Sequence, residues 1–493
     1  MATRTVWQDV YTVQFDKTND GTTLAAHMLK VIPSYAGTEV GIQGTGAAGG
    51  KFSMPLNDHP NYKAPSGNLE TEQATGIATR RKSEYNIVQT GEAVQFNLPQ
   101  NGDAYNTSLF AQLLFQYGFT KVLNTGTGRA VAALAAGQLV YKGAQYTSAD
   151  TKFFAQFVRH LQADGAGADI DLRVQGGICH TLTVSAETGG LLTIEPTIYG
   201  AKWSQTNMSG VANEAADSFA NIIPLKFQDS TFAVLDIDRT NSRTYTATFV
   251  AEGETNGTVT DTANGGTLDA GGGFADNSVA VIEGSLLNDG VYGISLGTDD
   301  HTLKRSKAYN KSSDSDFVAE ASTANVKITP ANWRVINTPS VNMTFTNNCQ
   351  FNYYNDDEAS SAIVGRLTCE GTFSMPFGTA NVGTNYMINK FLAGEEFLIA
   401  WYWGQSEGTV DVADDYKLTP VNALDRMKND SGSNDTKNYA SFVVCARITD
   451  YEMSGDNEQM IDVTFQGVTT DFHDAFEMYF AVDSTKVERV HTS

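Results

Sequence analysis

Apolar and polar positions follow the same order in both halves of this chain. In the first half, alternation over 91–99 predicts a strand, an apolar stretch over 109–115 predicts a short helix, and alternation resumes on both sides of Gly189-Gly190. Paired glycines between two alternating runs are typical of a β-hairpin. The second half repeats this order over 371–377, 386–392 and 463–467. The pattern therefore predicts two copies of one strand–helix–hairpin unit.

Further alternating segments predict additional strands. Residues 6–13 fit a strand or an extended arm, and 153–158 fit either a short helix or a strand, because the period of so short a run does not separate the two. Between the two copies, residues 244–250 alternate strongly, and Asn288-Asp289-Gly290 separates two apolar runs. Asp-Gly is a preferred type I′ hairpin corner. We expect a small additional β-domain in this region.

These patterns divide the chain into four regions. We predict an N-terminal arm and loop over 1–84, a first β-unit with its linker over 85–232, an inserted Ig-like or small β-barrel domain over 233–334, and a second β-unit over 335–493. A chain of 493 residues is longer than one ordinary core requires, so several domains are expected. The predicted fold class is mainly β, with sandwich or barrel units that each carry a flanking α-helix.

Composition agrees with many short strands joined by turns, since the chain has 45 glycines and only 18% charged residues. The formal net charge is −23. Such a charge repels the phosphate backbone and argues against sequence-independent DNA binding. An acidic wall would also let a duplex slide past without sticking. The alternative is that the charge only keeps a concentrated protein soluble.

Four widely spaced cysteines, without a CxxC pair, predict reduced and buried thiols rather than a zinc site. These are Cys179, Cys349, Cys369 and Cys445. The first residues lack the apolar core of a signal peptide, and no stretch reaches the roughly 20 apolar residues of a membrane span. We therefore expect a protein made in a cytoplasm, without a membrane span.

Several short motifs could be read as chemistry, and for each a structural role is the simpler interpretation. They are Asp236-Ile237-Asp238, Asp299-Asp300-His301, Ser312-Ser313-Asp314-Ser315-Asp316, Cys179-His180 and Gly126-Thr127-Gly128-Arg129. The serine–aspartate run lacks the central glycine and closing glutamate of a calcium loop, and the glycine pair lacks the lysine of a phosphate loop. We predict no catalytic, cofactor-binding or metal-binding residues, and no enzyme activity.

The apolar run Trp401-Tyr402-Trp403 has two interpretations. It is either buried core, which is the default for such a strand, or part of an interface between subunits.

Two segments resemble the tail tube proteins (major tail proteins) of long-tailed bacteriophages. The first contains Val174–Cys179, Gly189-Gly190 and Ile198–Trp203, which resemble the family's paired strands around a glycine-led turn. The second runs from Met343 to Phe391 and resembles the family's order of strand, Asn-Asn, basic strand and amphipathic helix. Residues 275–305 are similar to the small β-barrel modules inserted in such proteins.

The resemblance implies a structural virion protein with two copies of the tube domain. Single-unit members close as hexameric rings, so this chain would close as a pseudo-hexameric trimer. Stacked rings would form the conduit for DNA ejection, with DNA passing through without specific binding. Implied partners are the chain itself, the tape-measure protein, the tail terminator, tail-tip or baseplate proteins and, in contractile tails, a sheath. The location would be the virion tail, assembled in the cytoplasm of the host bacterium.

The N-terminal arm (1–84) and the loops over 121–150 and 404–437 are the candidates for contacts between rings, because of their length and polarity. Two other functions stay open. Another structural virion protein, such as a capsid decoration or tail fibre protein, would not polymerise into hollow tubes. A carbohydrate-binding β-protein would need exposed aromatic platforms or a pair of carboxylates in a cleft.

Overall fold

Antiparallel strands make up most of the structure, which is a computed structural model, and this confirms the predicted mainly β fold. The structure describes residues 7–17, 51–53, 69–73, 84–89, 94–115, 138–142, 153–163, 170–207, 225–251, 257–263, 265, 267–275, 278–297, 299–305, 317–352, 361–363, 366–376, 382–404, 438–454 and 459–482.

The N-terminal part of the chain contains one of the two helices in the described residues. Its elements are β1 (Trp7–Lys17), β2 (Lys51–Ser53), β3 (Leu69–Gln73), β4 (Glu84–Gln89), β5 (Val94–Asn97), β6 (Gln100–Asn101), α1 (Ala104–Phe115), β7 (Gln138–Lys142), β8 (Phe153–Ala163), β9 (Ile170–Glu187), β10 (Thr193–Gly200) and β11 (Lys202–Asn207). The predicted helix and the hairpin at Gly189-Gly190 are confirmed, and residues 153–158 form a strand.

The middle of the chain consists of strands and three short 3-10 turns. The strands are β12 (Ser230–Ile237), β13 (Arg243–Val250), β14 (Thr258–Asp261), β15 (Ser278–Glu283), β16 (Gly290–Leu296), β17 (Thr302–Arg305) and β18 (Glu320–Val335). The C-terminal part contains β19 (Ser340–Thr346), β20 (Gln350–Asn352), β21 (Ser361–Ile363), β22 (Thr368–Pro376), α2 (Val382–Ala393), β23 (Glu396–Gly404), β24 (Asn438–Ser454), β25 (Met460–Gly467) and β26 (Phe476–Val482).

The same scheme of strand pairing occurs twice. In the first unit, β1 pairs with β8, β8 with β9, and β10 with β5, while β9 pairs with β11 through its first half and with β10 through its second half. In the second unit, β12, β23, β24, β26, β25 and β22 pair in the corresponding order. Each unit places its 12-residue helix between the strands that correspond to β5 and β8.

The correspondence between the units extends to a single bulged residue. His180 is the extra residue of β9, because Thr197 and Ile198 of β10 lie opposite Thr181 and Cys179. At the matching place in β24, Thr449 is passed over where the register with β25 shifts between Ile448 and Asp450. A bulge adds one residue to one strand and increases its local twist. In both long strands the bulge lies two or three residues beyond the start of the ladder with the hairpin partner, β10 or β25.

Two strands join the units into one sheet. β19 lies between β9 of the first unit and β22 of the second, with Ser340 opposite Glu187 and Thr346 opposite Thr181. β7, from the first half of the chain, extends the second unit by pairing with β26. The second unit therefore completes one edge of the first, and the first completes one edge of the second.

The segment between β12 and β19 closes into a six-stranded barrel. Its strands pair in the cyclic order β13, β14, β17, β16, β15, β18 and back to β13. Closure leaves none of these six strands with an open edge, which protects them from pairing with other chains. Aromatic side chains fill the interior, among them Phe249, Tyr292 and Phe317, with ring centroids 4.9–5.3 Å apart.

The barrel packs against the second unit through a core of its own. Alternate residues of β23 point to opposite sides, so that Trp401 and Trp403 enter the main core while Leu398 and Tyr402 contact the barrel side. Val279 of β15 faces this second core. The predicted domain boundary at residue 233 falls inside β12, whose strand pairing with β23 belongs to the second unit.

The structure decides between the two interpretations of the Trp401–Trp403 run and tests the predicted turn at Asp289-Gly290. Trp401, Tyr402 and Trp403 are fully buried within one chain, so the core interpretation is confirmed and the interface interpretation is wrong. The predicted type I′ corner at Asp289-Gly290 is also wrong. The connection spans residues 284–289. The left-handed φ lies at Gly284 (+82°), Gly290 is close to extended (φ +157°), and Asp289 does not have the positive φ that a type I′ turn needs.

The longer connection is held by the buried carboxylate of Glu320. It accepts hydrogen bonds from the backbone N–H groups of Leu286 (2.9 Å) and Leu287 (3.1 Å), and from Asn288 Nδ2 (2.9 Å). Burial alone would raise the pKa of Glu320, but these hydrogen bonds and that from Thr323 lower it overall. A tight two-residue turn would leave this carboxylate buried without its partners.

Gly371 allows the closest approach of strands at the junction of the units. A Cβ at this position would lie 2.5 Å from the backbone oxygen of Asn342 in β19 and 2.6 Å from the ring of Phe465 in β25. We expect Gly371→Ala to lower the free energy of unfolding by about 1–3 kcal/mol, because the backbone of β19 must move. Denaturant unfolding measures this change.

Gly265→Ala is the matched control, since the nearest atom to its Cβ would be 4.0 Å away. It should change the free energy of unfolding by no more than about 0.5 kcal/mol. Equal stability of the two variants would contradict the described packing of β19, β22 and β25.

Candidate functional surface

One face of the joined sheet is polar and turned to solvent. The inner side chains of β9, such as Leu182 and Val184, belong to the main core. The alternate side chains point outward in register with those of neighbouring strands. One row contains Glu187, Ser340, Ser374, Asp462 and Glu452, and the next contains Thr193, Ser185, Asn342, Thr372, Thr464 and Asp450. We call these outward side chains of β10, β9, β19, β22, β25 and β24 the acidic face.

Hydrogen bonds between neighbouring strands connect the hydroxyl groups of this face. Ser185 Oγ lies 2.8 Å from Thr193 Oγ1. Thr183 Oγ1 lies 3.2 Å from Thr344 Oγ1, across the junction of the two units. The Asp462 carboxylate accepts hydrogen bonds from Ser374 and Ser454. The face is therefore an ordered layer of hydroxyl and carboxylate groups that is continuous over both units.

The charges of this face are acidic, apart from one arginine at its edge. It carries Glu187, Glu195, Glu370, Asp450, Glu452 and Asp462. Residues 181–187, 193–199, 340–346, 370–374, 450–454 and 460–466 contain no lysine or arginine. Arg447 of β24 lies at the edge of the face, in a third row with Glu370 and Gln466, and its guanidinium lies against Gly394 at the end of α2. Within the ranges above, the surface repels phosphate groups and offers no cation to bind them.

The acidic face and the barrel lie on opposite sides of the second unit. The main core separates the acidic face from β23, and the second core separates β23 from the barrel. A surface that curves around a central space can therefore present the acidic face inward while the barrel points outward.

The candidate chemical residues of the sequence do not come together. Asp236 forms an ion pair with Arg334, and Asp238 caps a 3-10 turn by accepting hydrogen bonds from Thr240 N and Asn241 N. Asp299 accepts a hydrogen bond from His301 N within a turn of the barrel. Residues 312–316 and 126–129 lie outside the described residues. No group of three or more His, Cys, Asp or Glu side chains in the described ranges could hold a metal ion.

The cysteine and histidine candidates separate because neighbouring residues of a strand point to opposite sides. Cys179 is buried in the main core, and its Sγ donates a hydrogen bond to Thr181 O (3.1 Å). His180, the bulged residue, stacks on Tyr199 with ring centroids 4.1 Å apart, and its Nδ1 lies 3.5 Å from Cys349 Sγ.

This cysteine–histidine contact lacks the properties of a nucleophile. Burial raises the pKa of Cys349 to about 12 and lowers that of His180. Both shifts favour the neutral thiol and the neutral imidazole at pH 7, whereas a reactive cysteine needs a thiolate. All four cysteines are buried and reduced, as predicted.

Two further observations concern the other candidate functions. Among the side chains whose burial the structure describes, the exposed large apolar ones are aliphatic or methionine, with no aromatic platform of the kind that binds sugars. Neither helix in the described part of the chain has the length and apolarity needed to cross a bilayer.

The sequence predicted the individual strands of the acidic face, but it did not predict how their polar residues align into rows. Alternation identified β9, β19 and β22 as strands with one polar side. Their register depends on pairing between distant segments, such as Glu187 with Ser340, and no local pattern specifies it. The absence of lysine and arginine from residues 181–187 of β9 and from all of β19 and β22 was the available signal.

No protein-family model matches the chain, and no curated protein sequence matches it. The function proposed below therefore depends on the repeated units and the acidic face.

Reversing the charge of the acidic face should create affinity for DNA. We expect the double variant Glu370→Lys/Glu452→Lys to bind duplex DNA more tightly than the unchanged protein, because two cations replace two exposed carboxylates on a hydrogen-bonded polar surface. Fluorescence anisotropy at physiological salt measures the binding.

The matched control is Asp300→Lys/Asp471→Lys, which changes the net charge equally but lies outside this face. Tighter binding by the control than by the first variant would show that the acidic face has no special relation to DNA.

Proposed function

We propose that this chain is the subunit of a phage tail tube, a structural protein that assembles into stacked rings through which DNA leaves the virion. The observation that carries the proposal is the repeated unit, joined head-to-tail by β19 into one sheet with a continuous acidic face. Head-to-tail contacts between like units generate rings when the rotation closes.

The number of units fits the ring size that the sequence resemblance implies. Three chains with two units each would give a pseudo-hexameric trimer. Each chain would supply one junction between units internally and one through contact with the next chain. The junction seen within the chain then serves as a template for the junction between chains.

The acidic face suits the inner wall of such a tube. A wall of hydroxyl and carboxylate groups repels the phosphates of DNA, so the duplex passes without being held. The barrel would lie on the outside, because it packs on the side of the second unit that faces away from the acidic face. In this arrangement the net charge of −23 has a role beyond solubility.

The partners follow from the proposed assembly. They are further copies of the chain, the tape-measure protein, the tail terminator and tail-tip or baseplate proteins, with a sheath in contractile tails. The protein would assemble in the cytoplasm of the host bacterium and act in the virion. The segments proposed for contacts between rings, the N-terminal arm (1–84) and the loops over 121–150 and 404–437, lie largely outside the described residues.

Electron microscopy of the purified chain tests the proposal. We expect negatively stained hollow tubes of stacked rings, spontaneously or after addition of isolated tail tips, with threefold symmetry in averaged end views. Solid fibres would favour a tail fibre protein. A chain that stays monomeric even on tail tips would contradict the tube function.

A further inference from the structure

The two helices hold the same position in their units but differ in burial. In α1, Phe110, Leu113 and Leu114 are at most 1% exposed. At the same helix positions, α2 has Ile388 and Phe391, which are partly buried, and Leu392, which is 72% exposed. An exposed leucine alone is common, but here its counterpart in the other unit is fully buried.

The long strands show the same difference. Leu182 and Val184 of β9 are fully buried, whereas their counterparts in β24 are Tyr451, which is partly buried, and Met453, which is 59% exposed. The rings of Phe391 and Tyr451 are in edge contact, with centroids 5.2 Å apart. We call Phe391 and Tyr451, together with the exposed Leu392 next to Phe391 on α2 and the exposed Met453 on the same side of β24 as Tyr451, the α2 patch.

The second unit is what covers the matching surface of the first. α1 contacts β8 and β9 of its own unit and also β24 and β26 of the second unit. β19 pairs along the second half of β9, and the next residue, Asn347, donates a hydrogen bond from Nδ2 to the carbonyl oxygen of Leu114 at the end of α1 (2.6 Å). The second unit thus supplies a hydrogen-bond donor to the end of α1, a paired strand to the edge of β9, and cover for the apolar side chains of both.

The described residues of the second unit supply no such cover for the α2 patch. α2 packs chiefly on β24 of its own unit. The second half of β24 pairs with β25 on one side, and no described strand pairs with its other side. In the first unit, the outer edge of β11 is likewise without a described partner, although its counterpart β26 pairs with β7. Among the described strands, β24 and β11 thus each have an open edge, and these two edges correspond to the two sides of the junction inside the chain.

We propose that the α2 patch docks onto the first unit of a second copy of this chain, against β9 and β11, as α1 docks against β24 and β26 within the chain. The contact is heterologous, since different surfaces of the two copies meet, and it repeats from copy to copy. The inference rests on the proposed self-assembly and identifies the surface that carries it. Burial of Leu392 and Met453 would complete the core at the junction, and pairing of β24 would remove its open edge.

Charge placed in the α2 patch tests the proposal. We expect Leu392→Glu to weaken self-association about thirtyfold or more, as for a residue at the centre of an interface. Sedimentation velocity over a range of concentrations measures association, and electron microscopy counts tubes. The melting temperature should stay within the error of the unchanged protein, because Leu392 is 72% exposed in the single chain. Met453→Lys is the second variant and should have the same effect through the edge of β24.

The control is Leu286→Glu, at the tip of the barrel, where the leucine is 79% exposed but lies outside the α2 patch. It should assemble as the unchanged chain does. Unimpaired assembly of both Leu392→Glu and Met453→Lys would overturn this inference and leave the tube function standing. An unchanged chain that never associates, even on isolated tail tips, would overturn both.

Discussion

The structure depends on the pairing of strand edges. Every exposed strand edge presents backbone N–H and C=O groups that need partners, and a β-protein must close, cover or share its edges. The barrel closes on itself through six strands. The two units share theirs, with β19 bridging β9 and β22 and with β7 added to β26. Among the strands that the structure describes, the second half of β24 and the outer edge of β11 have no further partner, and a head-to-tail assembly would pair them.

The long strands β9 and β24 connect the layers of the molecule, because each pairs with different strands along its two halves. Each exchanges one partner strand for another along its length, and the bulge at His180 or Thr449 follows two or three residues after the new ladder begins. The strands that carry the acidic face turn their polar side to solvent and their apolar side to the main core. The strands around β23 lie between the two cores and are buried on both sides. Acidic face, main core, second core and barrel therefore follow each other in order. A tube wall needs such an order, because its inner and outer surfaces meet different surroundings.

The local elements could be predicted from the sequence, and the connections between them could not. Apolar periodicity identified both helices and the hairpin at Gly189-Gly190, because these depend on neighbouring residues. The pairing of β19 with β9 joins segments far apart in the chain, so no local pattern encodes it. The turn before Gly290 differed from expectation because the carboxylate of Glu320, 30 or more residues away, holds a longer loop. From the sequence, only the excess of acidic over basic residues in these strands could be seen. The rows themselves depend on the register between strands that are far apart in the chain.

The most direct test of this account is a cryo-electron microscopy reconstruction of the assembled protein. The account predicts three chains per ring, six repeated units around the axis, and a lumen lined by the rows that contain Glu187, Glu370 and Asp462. It also predicts the barrel on the outer surface. A ring whose lumen is lined by the barrel, or in which the acidic face is buried between chains, would contradict it.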